Sequence, residues 1–129
     1  MRHDGNGAFL PVEYLMIAVI FEVWPHPEQR DAYLRTAASL RPLFENIDGF
    51  ISVERFESLT EPGKLLSLSM WRDEHAVAEW RAVEAHRVVQ ARGRETLFLD
   101  YRLRVAAVNR DYGMNERDEA PADNRAIHG

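Results

Sequence analysis

SLSMWRDEHAVAEWRAVEAHRVVQARGR, Ser67 to Arg94, holds a strand, a helix and most of the unusual side chains of the chain, and its reading decides the fold. Leu66, Leu68 and Met70 alternate with Ser67, Ser69 and Trp71, the period of two of a strand whose faces differ. Asp73 follows, a short acceptor able to cap the free amides of a helix, with Glu74 adding favourable charge in the first turn. From Glu74 onward Val77, Trp80, Val83 and Arg87 recur at spacings of three and four, which predicts a helix that carries the indole of Trp80 on its buried face.

Working outward toward the N-terminus, Tyr14 to Trp24 (YLMIAVIFEVW) is apolar on both faces. Ile17, Val19, Phe21 and Val23 fall on one side, and Met16, Ala18 and Ile20 on the other, as in a strand covered twice. Pro25 and Pro27 end it, and Pro27 is suited to open a helix. Tyr33, Ala37, Leu40, Phe44 and Ile47 form one stripe of that helix, which Pro42 should bend and Asp48-Gly49 should close. Phe50 to Glu57 alternates weakly, with Phe50, Ser52, Glu54 and Phe56 expected on one face of an edge strand. Leu59 to Gly63 reads as the turn of a hairpin. Beyond Gly93 a last strand, about Thr96 to Arg110, places Leu97, Leu99, Tyr101, Leu103, Val105 and Ala107 on one side, toward the helices.

The order strand, helix, strand, strand, helix, strand predicts an α+β domain of the ferredoxin-like, split βαβ kind, an antiparallel sheet with two helices on one face. We read residues 1–13 as an N-terminal tail, 14–113 as the domain and 114–129 as a C-terminal tail. The first strand is apolar on the helix-free side as well, so a homodimer through that sheet face is expected.

Composition narrows the function. The 129 residues suit one domain with one core. The absence of cysteine excludes disulfides, thiolate metal sites and a cysteine nucleophile. The five histidines are scattered, and His75 and His86 are eleven apart, so no metal site is read. A net charge of −5 argues against a nucleic-acid partner. The longest apolar run, Leu15 to Phe21, is too short to span a bilayer and nothing resembles a signal peptide, so no membrane partner and a cytoplasmic location are expected.

Four stretches in this order, MIAVIFEVWP, NIDGFISVERFES, LLSLSMWRDEHAVAEWRAVEAHRVVQARGR and FLDYRLRVAAVNRDYG, resemble the antibiotic biosynthesis monooxygenase family, whose members are dimeric α+β barrels. The resemblance covers about Met16 to Gly113. It implies a cofactor-independent monooxygenase acting on a small aromatic or quinol-like molecule, with no cofactor. Non-catalytic dimeric ligand-binding proteins of the same fold, and isomerases or cyclases, are the alternatives. The haem-degrading branch of the superfamily has an asparagine in the first strand, a tryptophan in the second helix and a haem-ligating histidine about ten residues later. Trp80 matches the tryptophan, but Gln90 stands where the histidine is expected and the first strand holds no asparagine, so haem oxygenation is disfavoured.

The candidate catalytic residues are His86, as proton acceptor or orienting donor, and Tyr101, whose hydroxyl needs a partner if buried. Trp80 and Trp71 are the candidate substrate-binding walls. An aromatic residue at helical spacing is more often core than pocket, and a histidine in Glu84-Ala-His-Arg87 is more often exposed than catalytic. A deprotonated phenol supplies electrons to oxygen itself, so such an enzyme needs little beyond an apolar pocket and a proton acceptor.

Overall fold

The alternation read above forms four strands: β1 (Ile17–Pro25), β2 (Phe50–Glu57), β3 (Leu65–Trp71) and β4 (Phe98–Ala107). Two helices cross between them, α1 (Arg30–Glu45), entered through a short 3-10 turn at Pro27–Gln29, and α2 (Glu74–Gln90). The structure, a computed structural model, describes residues 15–90 and 97–123, the side chains of 84–90 excepted. The sheet runs β2-β3-β1-β4 with every neighbouring pair antiparallel. This is the expected ferredoxin-like arrangement, with β2 and β4 as edges.

The register sorts the side chains into rows. On the helix side these are Phe50–Trp71–Ile17–Ala107, Val53–Ser69–Val19–Val105, Arg55–Ser67–Phe21–Leu103 and Glu57–Leu65–Val23–Tyr101. Phe44 of α1 and Ala76, Val77 and Trp80 of α2 pack in one cluster with Ile17, Val19 and Trp71, so both helices lie on this face. Tyr33 and Ala37 of α1 form a second cluster with Val23 and Leu65.

Two irregularities break the expected alternation. A bulge between Phe50 and Ser52 turns Phe50 onto Trp71, on the helix side, while Ser52 follows Met70 on the opposite face. Phe50 therefore does not share a face with Ser52, Glu54 and Phe56, because an inserted residue shifts the pleat by one. The second lies where Pro25 pairs with Phe98 while Trp24 pairs with Asp100. It brings Phe98, not Leu99, to the helix side against Tyr33, and Leu99 is left 63% exposed.

The joint before α2 is built from charge and from one glycine. Asp73 Oδ1 accepts the Ala76 amide at 2.9 Å, the helix cap its sequence position predicts. Arg72 reaches both carboxylate oxygens of Asp48, at 3.1 and 3.2 Å, and its Nε donates to Asp73. Gly49 has φ +96°, and a Cβ there would lie 2.8 Å from the Cβ of Ala76, so the turn that ends α1 and the first turn of α2 pack together only through a glycine.

On the helix-free face Glu22 accepts hydrogen bonds from Lys64 and Arg104, with Lys64 stacked 5.1 Å over the Trp24 ring. Its carboxyl is held below the ordinary value, chiefly by Lys64 and then by Arg104. Asp73 is lowered chiefly by the Ala76 amide, and Asp48 by Arg72. Carboxyls lowered in the folded state contribute stability above their unfolded pKa and lose it as pH falls. Denaturant midpoints should therefore be level near neutrality and fall steadily below pH 4.5, the ordinary value for the glutamate. A midpoint unchanged down to pH 3 would show that these pairs contribute nothing.

Val108 N–H continues the ladder onto the Met16 carbonyl. Beyond it Asp111 N–H donates to Glu119, Arg117 to the Gly113 carbonyl, and Ala120 is buried, so the segment read as the start of a C-terminal tail is folded on itself up to that point. The N-terminal tail and residues 124–129 lie outside the described residues. Among the described residues no helix is long and apolar enough to cross a membrane.

Candidate active site

The helix side of the sheet is covered unevenly. Three of the four cross-strand rows have buried members on β3 and β1, and in the fourth Ser67 and Phe21 are half-buried, but on β4 Tyr101, Leu103 and Val105 are 41%, 38% and 44% exposed. All three share the face on which the helices lie, opposite Val23, Phe21 and Val19. The result is an open apolar strip along β4, beside the cluster that contains Trp80, since Val19 is packed in that cluster and pairs with Val105.

Rings close the strip at its Tyr101 end. Phe21 lies 5.7 Å from Tyr101 and 6.1 Å from Phe98, Phe98 lies 6.1 Å from Tyr101, and Tyr33 meets Phe98 edge-on at 5.6 Å. Such tilted and edge-on spacings are attractive for ring quadrupoles. On this side of β1 and β4 the residues from Ile17 to Val23 and from Tyr101 to Ala107 carry no charge, and the Tyr101 hydroxyl is their one polar side-chain group. The strip suits a neutral or weakly acidic ring compound, with a hydroxyl at one end to orient it.

Of the four candidate residues, the structure places Tyr101 in this strip. Trp71 is fully buried, donating its indole N–H to the Ser69 hydroxyl at 2.9 Å. Trp80, 7% exposed, stands 6.1 Å from Trp71 and 6.3 Å from Phe44, so the two indoles form core. His86 lies on α2 two turns beyond Trp80, and its side chain is outside the described residues. Phe21, Phe98, Leu103 and Val105 were not singled out from the sequence as site residues. The alternation of β4 marks Leu103 and Val105 as apolar, but a covered strip and an open one have the same pattern. Among the described residues no group of three or more His, Cys, Asp or Glu side chains could hold a metal ion.

Residues 16–92 match the family model described as antibiotic biosynthesis monooxygenase. The chain belongs to the antibiotic biosynthesis monooxygenase family. It is 50% identical over 101 residues to a jasmonate monooxygenase ABM of Pyricularia oryzae, across 78% of this chain and 47% of that protein. The chain thus spans about half the length of the curated relative it matches. Among solved structures, Rv0793 of Mycobacterium tuberculosis superposes with a TM-score of 0.65 at 23% identity, covering 76% of this chain and 99% of that one. PA3566 of Pseudomonas aeruginosa superposes with a TM-score of 0.63 at 17% identity, covering 74% and 96%. At these identities the two structures carry the fold alone. The family match runs from β1 through α2, and the open strip is completed by β4 beyond it.

Proposed function

We propose that this family member is a cofactor-independent monooxygenase of a small, largely apolar ring compound, bound along the open strip of β4. The observation that carries this reading is the strip itself: an exposed apolar surface on the side of the sheet that holds the core, ending in three rings and one hydroxyl. For a phenol the reaction balances without an external reductant: the phenol loses two hydrogens, gains one oxygen atom as a quinone carbonyl, and the second oxygen leaves as water. The protein's share is to hold the ring, accept the phenolic proton and keep bulk water from the reacting carbon. The jasmonate of the relative's name is also a small ring compound. Hydroxylating a saturated carbon takes two electrons that such a substrate does not give up, so it is the informative second substrate.

Oxygen uptake by the purified protein with phenols and hydroquinones in the absence of reductant, and with jasmonate with and without one, tests this. One atom of labelled oxygen should enter the product. If the ligands raise the melting temperature but no oxygen is consumed in any arm, the chain is a binding protein and not an oxygenase.

In the same reading a second copy covers the helix-free face. Ala18, Ile20, Leu66, Leu68 and Met70 lie there half-buried in the single chain, and the Glu22 carboxylate is already matched by Lys64 and Arg104. At about 25 cal/mol per Å² of apolar surface, a few hundred Å² offsets several kcal/mol of association cost. Light scattering should give a dimer at micromolar concentration, and Ile20→Asp should give monomers or insoluble protein. A dimer that survives Ile20→Asp unchanged would place the interface elsewhere.

A further inference from the structure

We propose that Asp48-Gly49, in the turn between α1 and β2, is a site of spontaneous isoaspartate formation whose rate is set by Arg72. The inference is independent of the oxygenase reading, and it assigns a covalent modification to the end of the sheet away from Tyr101.

The reaction needs a backbone nitrogen that can reach the side-chain carboxyl of the preceding aspartate. The Gly49 nitrogen attacks the Asp48 carboxyl carbon and the new C–N bond closes a five-membered succinimide. One carboxyl oxygen departs as water, taking the amide proton with it. Water then adds back at either ring carbonyl. Opening one C–N bond restores aspartate, and opening the other leaves the main chain running through the side-chain carboxyl. One water leaves and one returns, so no oxidant or reductant is required.

Three features of the turn permit the attack. Glycine has no side chain to crowd the closing ring. The Asp48 side chain is 85% exposed. Among the described residues the Gly49 amide donates no hydrogen bond, so its nitrogen is not held by a partner. The opposing features all come from Arg72. Its guanidinium donates to both carboxylate oxygens of Asp48, at 3.1 and 3.2 Å, which fixes the side-chain rotation that ring closure requires. The same contact is the chief cause that lowers the Asp48 pKa and keeps the carboxyl ionised, the form from which oxygen leaves poorly. The Arg72 backbone N–H also donates to the Gly49 carbonyl at 2.7 Å and anchors the glycine. With Arg72 and Asp48 side chains 51% and 85% exposed, this ion pair is a weak restraint that slows the reaction without closing it.

The product does not fit the joint. An isoaspartyl linkage adds one methylene to the main chain just before Gly49, where even a Cβ would lie 2.8 Å from the Cβ of Ala76 in the first turn of α2. Close-packed surroundings have no room for the longer backbone, so modification loosens the contact between the end of α1 and the start of α2.

The test ages the full chain in warm neutral buffer. Isoaspartate is counted by methylation with an isoaspartyl methyltransferase and S-adenosylmethionine, and located by separating the two forms of the tryptic peptide 36–55. Asp4-Gly5 is the same dipeptide in the same chain and serves as the internal reference. Isoaspartate should accumulate at Asp48, and in Arg72→Gln it should form there about five-fold faster, the upper end of what an exposed ion pair holds back, with the rate at Asp4 unchanged. Arg72→Gln also removes the bond to Asp73, so salt supplies a second reading that needs no variant: about 1 M salt screens the pair and should raise the Asp48 rate in the unaltered protein but not in Arg72→Gln. Asp48→Glu, whose longer side chain cannot close a five-membered ring, should form no isoaspartate at this position. The isoaspartyl fraction, isolated by chromatography, should unfold at lower urea concentration than the unmodified protein. No isoaspartate at Asp48 in either protein, or a rate there unmoved by both Arg72→Gln and salt, overturns the proposal.

Discussion

Trp71→Ala is expected to cost about 3–5 kcal/mol, the range for removing a large aromatic side chain from a core. Trp71 is 0% exposed at the end of β3, with Phe50 at 5.3 Å, Trp80 at 6.1 Å and Phe44 at 6.2 Å, so its loss opens a cavity shared by both helices and the bulged start of β2. It also leaves the buried Ser69 hydroxyl without its indole donor. Trp71→Phe separates the two contributions. It keeps most of the ring contacts and loses the hydrogen bond, so it should cost about 1–3 kcal/mol, the range for an orphaned buried group. Urea denaturation of both variants measures this, and a Trp71→Ala midpoint within error of the unaltered protein would show that the cluster is not what holds the helices down. Because Trp71 lies at one end of the sheet and Tyr101 in the row farthest from it, Trp71→Phe should change ligand affinity far less than it changes stability.

The fold was legible because its signals are local and repeated. Period-two alternation in Leu65–Trp71 and Phe98–Ala107, the stripe from Tyr33 to Phe44 and the cap at Asp73 each specify one element, and the order of elements leaves few topologies. The bulges at Ile51 and near Leu99 were not legible, since one extra residue in a strand leaves no mark in composition and shows only once a partner strand fixes the register. The site was legible only in part for a related reason. Trp71 and Trp80 carry the largest apolar side chains and so attract attention, but side chains of that size stabilise a core best when enclosed, and they are enclosed here. Leu103 and Val105 look like any core-facing pair on a strand. What leaves them open is that β4 is an edge strand, and the buried residues of α1 cluster with β1 and β3, Tyr33 meeting β4 at Phe98, beyond Tyr101. Coverage of this kind is a property of helix placement, and no residue on β4 encodes it.

In the proposed function the sequence assigns the chemistry to one hydroxyl, Tyr101, and one imidazole, His86. If His86 takes the proton of the bound ring, His86→Ala should lower turnover by about 10²- to 10⁴-fold, the usual worth of a general base, with little change in melting temperature. A histidine base also leaves a mark that a structural role does not: kcat/KM rises with pH along an acid limb as the base loses its proton, and that limb should vanish in His86→Ala. Tyr101 has a different expectation. Its ring belongs to the aromatic end of the strip; if its hydroxyl orients a substrate oxygen, Tyr101→Phe should cost about ten-fold, the worth of one neutral hydrogen bond, and should leave the acid limb in place. The two variants therefore separate proton transfer from positioning. Should His86→Ala keep both its rate and its acid limb, proton acceptance passes to water.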